Sequence, residues 1–169
     1  MSNEKEQREQ FLDSYEKYAD ELFRYCFFKT GLRDTALEIV QETYLKVWVL
    51  MERGKVFDNP RAFLYTSVRN SVTDWYRKKK TVSLDALNEE GFDASDETAK
   101  ISPTDRLEVE RIIEKSAKLE EKYREVIILR FVNDLSVTEI AALLGEKENN
   151  ISVRLHRAIE KLRKIYIKK

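Results

Sequence analysis

The segment from Ser136 to Leu162, SVTEIAALLGEKENNISVRLHRAIEKL, most constrains what this chain can fold into. Apolar residues recur there at spacings of three and four on both sides of one glycine, so two short helices must meet at a tight turn. Ser136 stands where it can cap the first helix, and Glu139, three residues on, can bond back to it. Ile140, Ala141 and Leu144 give that helix an apolar side. Gly145 can take positive φ where the helix stops, and Asn149 or Asn150 offers a second N-cap. Ile151, Leu155, Ala158, Ile159 and Leu162 then bury one face of the second helix.

The opposite face carries Asn149, Ser152, Val153, His156 and Arg157, with Arg154 at its edge and Lys161, Arg163 and Lys164 on the next turn. Such side chains can donate to phosphates or meet base edges from a helix lying in the major groove. The pattern reads as a helix-turn-helix. The plainer alternative is an amphipathic helical hairpin with a solvated basic face.

Only four glycines and two prolines occur in 169 residues, against 42% hydrophobic and 37% charged residues, which favours an all-α chain with a real core. Lysine plus arginine and aspartate plus glutamate each number 31, so the net charge is zero. A free-standing DNA binder usually carries a net basic field. Here the charges are segregated instead: basic at Arg77 to Lys80 and from Arg154 onward, acidic at Asp85, Glu89, Glu90, Asp93, Asp96 and Glu97. DNA contact by local patches, with affinity borrowed from a partner, is the expectation.

The acidic stretch also divides the chain. Thr81 to Ser102 lacks helical periodicity and reads as a flexible linker, after which Ser102 and Pro103 supply a cap and a first helical residue. Two small helical domains are expected, 1–80 and 103–169, joined by the linker 81–102. In the first, Phe11 to about Thr30 is one helix, stopped at Gly31. Asp34 can cap a second, with Ala36, Leu37, Val40, Tyr44, Val47, Trp48 and Met51 along one side until Gly54. A loop, Arg53 to Asn59, precedes a third helix that starts at Asn59-Pro60 and runs to about Lys80 on a stripe of Phe63, Leu64, Val68, Val72 and Trp75. Tyr65, Thr66, Arg69, Asn70, Thr73, Tyr76 and Arg77 remain; aromatics interleaved with arginine suit single-stranded DNA, and the alternative is that Tyr65 and Tyr76 widen the core.

No signal peptide or membrane span is expected, since runs such as Val126 to Leu129 are far too short. The single cysteine, Cys26, fits a reducing cytoplasm. One histidine and one cysteine, in different domains, leave no Cys/His metal cluster and no Cys-His nucleophile pair, and there is no glycine-rich phosphate loop. Neither enzyme chemistry nor a cofactor is expected.

Three stretches in order, DTALEIVQETYLKVW from Asp34, PRAFLYTSVRNSVTDWYRKKK from Pro60 and YREVIILRFVNDLSVTEIAALLGEKENNISVRLHRAIEKL from Tyr123, resemble bacterial RNA polymerase sigma factors, and the two-domain length is similar to the extracytoplasmic-function group. The resemblance implies a factor that binds core polymerase with its first domain, reads duplex DNA upstream with its second, melts promoter DNA between, and is held in check by an anti-sigma factor. It assigns Glu38, Gln41, Glu42, Tyr44, Leu45 and Trp48 to the polymerase, and Phe57, Asp58, Asn59, Tyr65, Asn70 and Arg77 to the minus-ten element, where a non-template base is flipped into a pocket. It assigns Ser152, Val153, His156 and Arg157 to base- or phosphate-facing positions on the minus-thirty-five element, and Arg154 to a contact with its backbone. Against the family pattern, Asn149 and Asn150 stand where glycine and threonine are usual, Ser152 where a basic residue is common, and Glu120 where proline often follows leucine. The remaining alternatives are an autonomous helix-turn-helix regulator whose N-terminal bundle senses a ligand or dimerises, and a helical interaction adaptor that touches no DNA.

Overall fold

The computed structural model describes residues 2–82, 111 and 114–168. The chain divides into two compact units, 1–91 and 92–169. The described residues are helical throughout their ordered elements, with no strand among them. Of the expected linker, Thr81 and Val82 are still helical, at the end of the third helix; the rest of it and the Ser102-Pro103 helix start lie outside the described residues.

The first unit is three helices: α1 (Ser2–Thr30), α2 (Arg33–Glu52) and α3 (Pro60–Val82). Each packs on the other two. Their common core holds Leu22, Tyr25 and Cys26 of α1, Ala36, Val40, Tyr44 and Val47 of α2, and Leu64, Tyr65, Val68 and Val72 of α3. A two-pronged ion pair links the first and third helices: Arg61 Nε donates to Glu21 Oε1 and Nη2 to Oε2, both at 2.9 Å. This fork geometry suits a planar guanidinium and resists rotation of α3 against α1.

Helix α1 begins at Ser2 rather than Phe11. Its early turns lack an apolar stripe but hold good helix formers, with a Lys5–Glu9 pair at 4.0 Å and Gln7 donating to the carbonyl of Met51 at 3.2 Å. Helix α2 is capped by the backbone of Leu32, whose carbonyl accepts from the Ala36 N–H at 3.0 Å. Asp34 is not the cap but an exposed acid in the first turn, where it faces the positive end of the helix dipole. The start of α3 is as expected: the Ala62 N–H donates to Asn59 Oδ1 at 3.1 Å, with Pro60 at the first position.

The second unit contains α4 (Glu121–Ile127), which continues as a π-helical turn over Ile128–Val132, then α5 (Val137–Leu144) and α6 (Glu148–Ile167). The wide turn, which the sequence pattern did not flag, buries Ile128 and Leu129 together beneath α5. Ser136 and Glu139 form the reciprocal capping box: the Glu139 N–H donates to Ser136 Oγ at 3.1 Å, and the Ser136 N–H to Glu139 Oε2 at 2.7 Å. Gly145 closes α5 in the left-handed region, φ 65°. Helix α6 starts two to three residues early. Lys147, not Asn149 or Asn150, is its N-cap and contributes only its backbone, so both asparagines sit exposed in the first turn.

Cys26 is fully enclosed in the first core, and burial pushes its thiol up to about 12. Thiolate is the reactive species. The native protein at mildly alkaline pH should therefore fail to react with a thiol-reactive disulfide reagent over the time in which the denatured chain reacts fully. Rapid native labelling would mean that α1 does not pack against α2 and α3 as described.

Candidate functional site

An α-helix turns about 100° per residue, so the residues that bury one side decide which face the other. On α2 the buried set is Ala36, Ile39, Val40, Thr43, Tyr44, Val47 and Met51. Glu38, Gln41, Glu42 and Leu45 lie on the opposite side, all exposed, and Val49 extends the row one turn further. Leu45 and Val49 are 66% and 42% exposed and line a shallow apolar depression with Lys46 and Leu50. An apolar centre ringed by carboxylates and an amide suits a protein partner better than a solvated surface.

Trp48 is half-buried at the margin of this row, its ring edge-on to Phe11 with centroids 5.1 Å apart. Tyr44 is not on the row. It is 3% exposed, its hydroxyl donates to the Ser14 carbonyl at 3.0 Å, and burial raises its phenol well above the ordinary value. The ring packs edge-on to Phe11 and Tyr15, so Tyr44 seats α2 on α1 and presents no surface to a partner.

Beyond α2, a cleft of about 280 Å³ opens between α1, the end of α2, the loop 53–59 and the start of α3; Gln10, Met51, Lys55, Phe57 and Phe63 are among its walls. The rings of Phe57 and Phe63 lie 4.5 Å apart with the Lys55 ammonium over both, at 5.4 and 4.9 Å. A cation beside two aromatic rings in a concave site is a fitting receptor for a planar, electron-rich ring next to a phosphate. Asp58, next in the loop, is exposed, and Asn59 is occupied as the α3 cap. Asn70 and Arg77 lie exposed further along α3, and Arg77 pairs with Asp74 at 3.6 Å.

Tyr65 corrects the sequence expectation. It is 1% exposed, edge-on to Tyr25 at 6.0 Å and covered by the Arg61 guanidinium at 5.8 Å, so its ring belongs to the core and not to the surface. Tyr76, half-buried, donates its hydroxyl to the Lys29 carbonyl. The two tyrosines thus widen the core, as the alternative had it.

On α6, Ile151, Leu155 and Ala158 are buried, and Ser152, Val153, His156 and Arg157 lie exposed on the far side. His156 faces Glu160 one turn on, at 3.5 Å. Arg154 is set apart at the edge of this face, bonded to Glu146 at 2.6 Å. With Lys122, Tyr123, Asn150, Val153 and Arg157 it lines a shallow groove between α4 and α6.

Sequence comparison places these surfaces in context. Residues 14–82 match the family model for Sigma-70 region 2, and residues 110–162 match Sigma-70, region 4. The chain is 30% identical over 152 residues to the ECF RNA polymerase sigma factor SigL of Mycobacterium tuberculosis, covering 88% of this chain and 84% of that protein. It belongs to the ECF RNA polymerase sigma factors.

The ECF sigma factor SigW of Bacillus subtilis is 29% identical over 163 residues, covering 91% of this chain and 87% of SigW. Solved structures share the fold: RpoE in complex with the anti-sigma factor NepR from Bartonella quintana (TM-score 0.68, 20% identity, 95% of this chain and 99% of that one) and CnrH in complex with the cytosolic domain of CnrY (0.68, 23%, 94% and 88%). As a sigma factor, the chain directs promoter-specific transcription initiation. The α2 row and the Phe57 cleft fall within its region 2, and the exposed face of α6 within its region 4.

Sequence reasoning missed Lys55, Lys122 and Val49 in this sigma factor. Lys122 does have a local signal, a basic residue at the start of a helix, but its proximity to Arg157 depends on how α4 packs on α6.

Replacing Tyr65 with alanine should cost about 3–5 kcal/mol of stability, as for a large aromatic removed from a core, read as a lowered midpoint for unfolding of region 2. A variant with an unchanged midpoint but weakened DNA binding would return Tyr65 to the DNA surface.

Proposed function

We propose that this sigma factor divides its work among the three surfaces described. Glu38, Gln41, Glu42 and Leu45, with the exposed edge of Trp48, dock on core RNA polymerase through the row on α2. The loop 53–59 and the first turns of α3 capture a flipped non-template base of the minus-ten element in the cleft beside Phe57. Asp58 and Asn59 flank its mouth, and Asn70 and Arg77 hold the single strand further on. Helix α6 reads the minus-thirty-five duplex with Ser152, Val153, His156 and Arg157, Arg154 standing at the margin. The polymerase does the chemistry; the factor contributes binding and strand opening, in the cytoplasm, without a cofactor of its own. An anti-sigma factor, as NepR is in its complex with RpoE, would restrain it by covering these faces.

The observation that carries this reading is the pairing of two opposed requirements on one chain. The α2 row is apolar at its centre and acidic at its margin, unsuited to DNA, while the α6 face is cationic and polar, unsuited to a dry protein interface. A protein that must bridge an enzyme and a nucleic acid needs both. Capturing a base costs a few kcal/mol of unstacking, and the Phe57–Phe63 pair with Lys55 supplies stacking and charge to offset it.

Changing Gln41 and Glu42 together to alanine should weaken co-elution with core polymerase while helicity and thermal midpoint stay at wild type, because both side chains are exposed. A loss of helicity would make the two residues structural and remove the docking assignment. Arg157→Ala should lower affinity for the upstream duplex and flatten its dependence on salt by about one unit of slope, the loss of one phosphate contact. A slope identical to wild type would take Arg157 off the phosphate backbone.

A further inference from the structure

Glu146 follows Gly145, where the chain turns out of α5, and its own N–H donates to the Ala141 carbonyl at 2.9 Å. Its backbone is thus fixed to the end of one helix. Its carboxylate accepts from Arg154 Nη2, in the second turn of the next helix, at 2.6 Å. The side chains are 22% exposed for Arg154 and 30% for Glu146, so the pair is partly withdrawn from water and less screened by salt than an open surface pair. Residues Val153 and Arg157, which face outward for duplex contact, line the same groove as Arg154.

Two consequences follow from this placement. The pair braces α6 directly against the turn, and the rotation of α6 sets where Ser152, Val153, His156 and Arg157 point. In addition, a guanidinium already matched by a carboxylate is a poor neutraliser of phosphate, so it releases few counterions on binding DNA. We propose that Glu146 is a positioning residue for promoter recognition. Acting through Arg154, it holds the recognition helix in register and keeps that guanidinium out of the set that contacts phosphate, so that more of the affinity comes from contacts that depend on sequence. Phosphate contacts position a protein but carry no sequence information, and withholding one shifts the balance toward discrimination.

This inference rests on α6 reading duplex DNA. It is tested with the full chain assembled on bacterial core polymerase, first enriching duplexes from a randomised upstream library, then measuring affinity against salt on an enriched duplex and on its scrambled counterpart. Glu146→Gln keeps the shape and removes the charge. It should steepen the salt dependence by about one unit of slope as Arg154 turns to phosphate, tighten binding to the scrambled duplex, and lower the ratio of enriched to scrambled affinity by about tenfold. Arg154→Gln should weaken binding to the enriched duplex with the slope unchanged. A merely structural role would move affinity without moving the slope in Glu146→Gln. The inference is overturned if Glu146→Gln keeps the wild-type slope and ratio, or if Arg154→Gln flattens the slope by about one unit, the mark of a native phosphate contact. If the wild-type chain enriches no duplex at all, the reading beneath it fails, a result distinct from either of these.

Discussion

Each helix of this protein has its rotation fixed by the apolar stripe it buries, and everything it can offer a partner follows from that rotation. On α2 the constraint is set by aromatic packing with α1: Tyr44 is wedged edge-on against Phe11 and Tyr15, and Trp48 against Phe11. With those rings inward, the geometry of 3.6 residues per turn leaves Glu38, Gln41, Glu42, Leu45 and Val49 no choice but to face out. On α6 the same logic, run from Ile151, Leu155 and Ala158, turns Ser152, Val153, His156 and Arg157 outward. The surfaces proposed for docking and recognition are thus the complement of the core, and a change to the core that rotated a helix by one residue would misdirect them.

The two units achieve this by different means. In the first, the helices are long, and rigidity comes from burial of large rings together with the fork between Arg61 and Glu21, 28% and 12% exposed respectively. In the second, α5 has eight residues and α4 seven, too short to be stable helices alone, so local devices matter more. The capping box satisfies two orphan donors at the start of α5, and the left-handed Gly145 ends it without a side-chain clash. A turn built this way holds the recognition helix with few residues, and the Glu146–Arg154 pair adds a cross-link where the backbone alone would leave freedom.

What could be read from the sequence was what local pattern determines. The capping box, Gly145 and the Asn59-Pro60 start are each encoded within a few residues and are present, and of the expected α6 stripe Ile151, Leu155 and Ala158 are buried while Ile159 is exposed and Leu162 only half-buried. The caps of α2 and α6 were not legible. Asp34, Asn149 and Asn150 are good capping residue types, but Leu32 and Lys147 cap by backbone alone and leave no sequence mark. Tyr44 and Tyr65 were ambiguous for another reason. A tyrosine at the edge of a stripe is equally suited to core and surface, and the deciding neighbours, Phe11 and Ser14 for one and Tyr25 and Arg61 for the other, come from distant positions. The Glu146–Arg154 pair escaped because its members stand eight residues apart across a turn, outside the spacings at which helical neighbours meet.

In the reading proposed above, one chain docks on polymerase by α2 and selects promoters by α3 and α6. Run-off transcription with purified bacterial core polymerase, over a library of randomised promoters, tests it most directly. The expected result is stable association of the chain with core polymerase and transcripts that start only from templates sharing two spaced sequence elements, absent when the chain is withheld. Association without sequence-selective initiation, or duplex binding by the chain alone with no effect on the polymerase, would contradict it.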